Sequence, residues 1–114
     1  MQYMDNKQKK LLKDILDCIN HIEEYVEQTK TFDDYDNNSL IQDAVERNII
    51  TIGEAVNALL YINSNISISN SRRVVDARNK ITHGYDEIEN LQIWNIVVSH
   101  LPILKNEVEN LLKS

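Results

Sequence analysis

Arg78 and His83 are the two residues of this chain best suited to chemistry together. The stretch that holds them reads Arg78-Asn79-Lys80-Ile81-Thr82-His83-Gly84-Tyr85. A guanidinium is always charged, and its planar fork of donors fits phosphate oxygens. An imidazole accepts and returns a proton near neutral pH. A phosphodiester needs both services, because charge gathers on its non-bridging oxygens while one oxygen loses a proton and another gains one. RNA brings its own nucleophile, the 2′-hydroxyl, so an Arg/His pair can cleave it without a metal or other cofactor.

The spacing sets a condition. On a regular helix, residues five apart are rotated by about 140° and separated by about 7.5 Å along the axis. Arg78 and His83 therefore share no face while the helix stays regular. Gly84 suits the left-handed position just past a helix end, which would leave His83 in a frayed last turn. The long stem of Arg78 can also reach along a groove. The negative end of the helix favours a protonated imidazole there.

The elements that must hold this stretch read as amphipathic helices. The first covers about residues 5–30, with apolar residues at Leu11, Leu12, Ile15, Cys18, Ile19, Ile22, Tyr25 and Val26, three and four apart. Lys7, Lys9, Lys10 and Lys13 make a solvated start to it, with a phosphate contact as the weaker reading. His21 and Glu24 form half of a metal-binding pattern, and its other half is missing, so no metal is expected. Residues 31–38 read as a polar break, anchored to the core by Phe32 and Tyr35. Asp33, Asp34 and Asp36 lack the glycine turn and closing glutamate of a calcium loop.

A second helix runs from Ser39 to about Ile62, started by a Ser39/Gln42 capping box or by Asn38. Its apolar arc is wide, which predicts a central helix with neighbours on two sides. Gly53 costs about 1 kcal/mol there relative to alanine, so it is expected to admit another helix at close range. Arg47 and Glu54 flank this apolar centre and are candidates to orient the Arg/His pair. After a loop at 63–71, the third helix covers about 72–83. Val74, Val75, Arg78 and Ile81 lie along one face of it, and Asp76 and Lys80 are spaced for a weak surface pair. An acidic turn at 86–90 suits the start of a fourth helix, about 91–112. Pro102 should kink that helix by removing the bond to Val98. His100 beside it reads as structural. The expected fold is all-α, an antiparallel four-helix bundle with a kinked last helix, in one domain spanning 1–114.

Composition agrees with such a fold. The chain has 114 residues, 26% of them charged, and its two glycines and one proline favour long helices. A single cysteine allows no internal disulfide, and Cys18 on the apolar stripe points to a reducing, cytoplasmic setting. No leader or membrane-spanning run is visible. The net charge of -6 disfavours a general nucleic-acid coat protein, and no DNA partner is expected. Arg72, Arg73, Arg78 and Lys80 nevertheless cluster around the motif, and a local positive cleft on an acidic body suits brief RNA contact.

Taken together, these residues resemble a known family. Arg78, four residues and then His83 is similar to the signature of the HEPN superfamily of RNA-cleaving helical bundles. The longer form through Gly84 and Tyr85 resembles the HepT-like toxins within it. Arg47 leading to Ile52-Gly53-Glu54-Ala55 resembles that family's second helix. Glu89, Ile93-Trp94 and Leu101-Pro102 resemble its last helix, with glutamate at 89 where many relatives carry aspartate. The likeness runs from Phe32 onward.

The resemblance implies a metal-independent endoribonuclease toxin acting as a homodimer, with two motifs lining one cleft. It implies a minimal nucleotidyltransferase antitoxin that silences the toxin by adding adenylate to Tyr85. Arg78 and His83 would be catalytic, and Asn79, Lys80 and Glu54 supporting. Pairing also makes chemical sense, since cleavage uses a base and an acid and one protomer offers one motif histidine. Two other readings stand beside this one: a non-catalytic subunit that binds RNA or a nucleotide beside a nucleotidyltransferase, and a plain helical scaffold.

Overall fold

The computed structural model describes residues 5–69, 71–83 and 88–113. Its regular structure is helical throughout: α1 (Asn6–Thr29), α2 (Phe32–Asp36), α3 (Ser39–Ile62), α4 (Ser71–His83), α5 (Asn90–Asn95) and α6 (Leu101–Lys113), with a π turn at Ile96–His100 joining the last two. The expected all-α bundle is what forms. Among the described residues, no helix is long and apolar enough to cross a membrane.

Each helix begins and ends for a local reason. Asp5 caps α1 by accepting the Gln8 N–H at 2.9 Å, which satisfies one of the orphan donors of a first turn. The helix stops where Lys30 turns left-handed, with φ 67°, and its N–H bonds the Val26 carbonyl. Leu12, Ile15, Cys18, Ile19 and Ile22 are buried along one side. On the wet side Lys10–Asp14 and Lys13–Asp17 pair at 3.1 and 3.2 Å, each pair adding only a few tenths of a kcal/mol.

α3 is central, packing on α1 and on α4, while α6 packs on α1. It buries Ile41, Val45, Ile49, Ile52, Gly53, Ala55, Val56 and Leu59, residues on more than one side of the helix, as two neighbours require. Gly53 faces Arg78 and Val74, while Leu60 shares a groove with Ser71 and Arg72. Later residues of α3 thus meet earlier residues of α4, and the two helices run antiparallel. Glu23 of α1 holds Lys105 of α6 at 3.0 Å. The loop before α4 is tied to α6 where the Ser69 N–H and hydroxyl donate to the Glu107 carboxylate.

The structure corrects one local expectation and sharpens two others. The 31–38 break contains a helix, α2, because Thr31 caps it by accepting the Asp34 N–H at 3.2 Å and two aspartates suit its positive end. Phe32 and Tyr35 do anchor it, both against Trp94. The cap of α3 is Asn38, whose Oδ1 accepts the Ile41 N–H at 3.0 Å. Gln42 is drawn away from any capping box with Ser39 and donates to the carbonyls of Tyr35 and Asp36. Finally, a π turn at Ile96–His100 interrupts the last helix just before Pro102, with the Leu101 N–H bonded to the Ile96 carbonyl. Beside this turn Ile96 and Val97 are buried while Val98 is half exposed.

Candidate active site

α4 is anchored by Val74 and Ala77, its two buried residues. Arg78 follows directly and is half buried. Its position is set by Gly53 on α3. A Cβ built on that glycine would lie 2.6 Å from Cβ of Arg78, 3.0 Å from its Cγ and 3.3 Å from the Val74 carbonyl oxygen. Only a residue without a side chain lets the two backbones approach this closely. The stem of Arg78 is therefore laid against α3, as the reading of Gly53 anticipated.

The guanidinium is only partly satisfied. Its Nη1 donates to Oδ1 of Asn79 at 2.7 Å, while its Nε is buried with no hydrogen-bond partner among the described residues. A buried donor without an acceptor costs about 1–3 kcal/mol, more for a charged group. Beside it lies an open groove of about 360 Å³, bounded by the start of α1, one face of α3 and α4. Its lining includes Lys7, Glu54, Asn57, Tyr61, Ile62 and Arg78. Glu54, Asn57 and Tyr61 among these are spaced three and four apart, which places them on a single helical face. An anionic group entering this groove would meet Lys7 and Arg78 from two different helices.

His83 is the last residue of α4 and is exposed. The helix is continuous from Ser71 to His83, so the rotation of about 140° between Arg78 and His83 is retained. One copy of the helix does not aim both groups at one point. Gly84 and Tyr85 lie outside the described residues.

The supporting candidates divide. Asn79 bonds Arg78 and also lines a second groove with Asn57, Leu60, Arg72 and Val75. Glu54 shares the Arg78 groove, and among the described residues no ion pair joins the two. Lys80 turns to another side of α4, into a groove of about 320 Å³ shared with Arg73, Asp76, Gln92 and Asn95. Among the described residues no ion pair links Asp76 to Lys80, contrary to expectation. Arg47 lies apart from Arg78, beside Asp43, Glu46 and Thr51. No group of three or more metal-ligating side chains converges among the described residues.

Two groove residues were not expected. Lys7 seemed one of four solvated lysines, and Tyr61 lay outside the apolar stripe of α3. Tyr61 did carry a signal: it falls seven residues after Glu54, hence on the same face, and it is a large ring that the core does not take. Nothing local in the sequence says that Lys7 arrives beside Arg78. The Cys18 thiol lies in the core, and burial first, and then Asp14 and Asp17, push its pKa up.

The model of the family described as "Ribonuclease HepT-like" matches residues 15–111. Among curated proteins, "Putative RNase MJ1380" of Methanocaldococcus jannaschii is 33% identical over 105 residues, which cover 89% of this chain and 93% of that protein. "Putative RNase MJ0127" of the same organism is 32% identical over 104 residues, covering 90% of this chain and 78% of that protein. "Putative RNase MJ1216", also from that organism, is 27% identical over 106 residues, covering 92% and 87%. No solved structure matches the chain with significance.

Proposed function

This chain belongs to the HepT-like ribonuclease family, and from there we propose that it is an endoribonuclease toxin that cleaves RNA as a homodimer through Arg78 and His83. The observation that carries the reading is the paradox of α4. It holds an arginine poised over an open groove with one donor unsatisfied, and a histidine that the same regular helix turns elsewhere. A two-fold axis near the end of α4 resolves this, since each groove could then face the partner copy's histidine.

In such a pair the chemistry needs no metal. One imidazole takes the proton of the 2′-hydroxyl, whose oxygen attacks phosphorus. The bond from phosphorus to the 5′-oxygen breaks, and the second imidazole protonates that oxygen. The result is a cyclic phosphate and a free 5′-hydroxyl, with atoms and protons balanced. The guanidinium groups stabilise the extra charge on the phosphorane, where preorganised donors contribute most. Asn79, bonded to Nη1, holds the guanidinium plane, and Glu54 and Lys80 tune the charge on either side of α4. A minimal nucleotidyltransferase antitoxin would silence the toxin by adenylylating Tyr85, two residues from His83, adding bulk and negative charge at the cleft.

The test is cleavage of RNA by the purified protein in the presence of a chelator. Arg78→Ala and His83→Ala should each lose about a hundredfold or more in rate. Cleavage by His83→Ala at the wild-type rate overturns the assignment. Co-expression with a neighbouring nucleotidyltransferase gene, followed by intact-mass measurement, should give adenylate-sized increments on Tyr85. Increments confined to another residue would remove the regulatory half of the proposal.

A further inference from the structure

The Arg78 groove contains a feature that phosphate chemistry alone does not use. Tyr61 is 94% exposed, although it lies on a helix whose other large side chains are mostly turned inward. It stands two turns beyond Glu54 on the same face of α3, with Ile62 beside it and Asn57 one turn before it. The two cations, Lys7 and Arg78, line the same groove. Gly53 fixes the level of Arg78 along α3, so the Tyr61 backbone lies about 12 Å further along the axis. Both long side chains can close much of that distance.

A groove that gathers two cations, one carboxylate, an exposed ring and a side-chain amide has the composition of a single-strand site. Backbone phosphates are held by charge, and an unpaired base lies flat on the aromatic face. A duplex would not use the ring, because its bases are already stacked on one another.

We propose that Tyr61 is the base-stacking platform of the RNA site, holding the nucleotide next to the phosphate that Arg78 grips. This rests on the ribonuclease reading and adds a substrate class to it: unpaired RNA, with the adjoining base turned out of any helix. Asn57, between the ring and the guanidinium along α3, is placed to meet the edge of that base.

The test separates this proposal from the reading beneath it. His83→Ala protein is titrated with a short unstructured 2′-O-methyl oligonucleotide, which resists cleavage. Adding Tyr61→Ala should weaken binding about tenfold, the lower part of the range for stacking on one ring. Tyr61→Trp should restore what the alanine removes. A 5-iodouridine oligonucleotide, irradiated on the His83→Ala protein with Tyr61 intact, should cross-link to Tyr61. In cleavage assays Tyr61→Ala should raise KM with little change in kcat. Equal binding by the Tyr61→Ala and Tyr61-bearing proteins overturns the stacking role and leaves the nuclease reading intact. So does a Tyr61→Ala protein of lower oligomeric mass, which would assign the ring to a seam between copies. A wild-type protein that neither binds nor cuts RNA overturns both.

Discussion

Two tyrosines stand at opposite ends of α3, and their surroundings could hardly differ more. At the first end, α2 folds over and Tyr35 is fully buried, its ring 5.4 Å from that of Trp94, with Phe32 6.2 Å from the same indole. Asn90 Nδ2 donates to Oδ1 of Asp36 at 2.8 Å and fastens α5 to this corner. At the other end Tyr61 is uncovered beside Lys7 and Arg78. One ring is spent on holding helices together. The other is left out of the core, in the company of charges, where its face is available to something else. A residue type says little until its cover is known.

The contrast makes graded predictions. Tyr35→Ala should lower unfolding stability by about 3–5 kcal/mol, as large-to-small changes at buried rings do. Tyr61→Ala should stay within about 0.5 kcal/mol of wild type, as exposed changes do. Urea denaturation measures both, and a large loss at Tyr61 would erase the distinction between the two ends.

Gly53→Ala should affect both stability and activity. The added methyl collides with the stem of Arg78, at a cost of about 1–3 kcal/mol for overpacking. Better helix propensity returns about 1 kcal/mol. A net loss of about 1 kcal/mol by denaturation is expected, while RNA cleavage falls by about tenfold or more because the guanidinium is displaced. Unchanged cleavage would mean that the close approach serves packing alone.

The smallest effect concerns charge at the closed end. Burial first, and then Asp43, push the Glu46 carboxyl above its usual range. Burial first, and then Glu46 and Asp36, raise the Tyr35 phenol in turn. The folded protein therefore holds the Glu46 proton more tightly than the unfolded chain does. Its stabilising contribution is complete below the ordinary carboxylate pKa and is lost as pH rises through the raised one. Glu46→Gln should reduce the fall in melting temperature between pH 4 and pH 7. A steeper fall in the variant would contradict this.

Much of the fold could be read from periodicity. The limits of α3, its central place, the role of Gly53 and the anchoring by Phe32 and Tyr35 all followed from patterns that repeat over many residues or from large apolar rings beside a polar break. What escaped notice was short or competitive. α2 has five residues, too few to show a period, and only the Thr31 cap announces it. Asn38 and Ser39 are both good caps, and the interaction of Gln42 with the α2 carbonyls decided between them. The π turn cannot be distinguished from a proline kink by composition. At the candidate site, Arg78 and His83 were visible as a motif, whereas the groove brings Lys7 and Tyr61 to Arg78 from 71 and 17 residues away. Such meetings depend on how helices pack, and no local window contains them.

The close approach at Gly53 also has a mechanical meaning. Where two rods touch with only the stem of one side chain between them, that point acts as a fulcrum. Arg78 sits on it and is nearly stationary when α4 tilts. His83 rides at the end of an arm about 7.5 Å long, so a tilt of about 8° carries it roughly 1 Å. A small displacement of the end of this helix would thus move the imidazole while leaving the guanidinium in place.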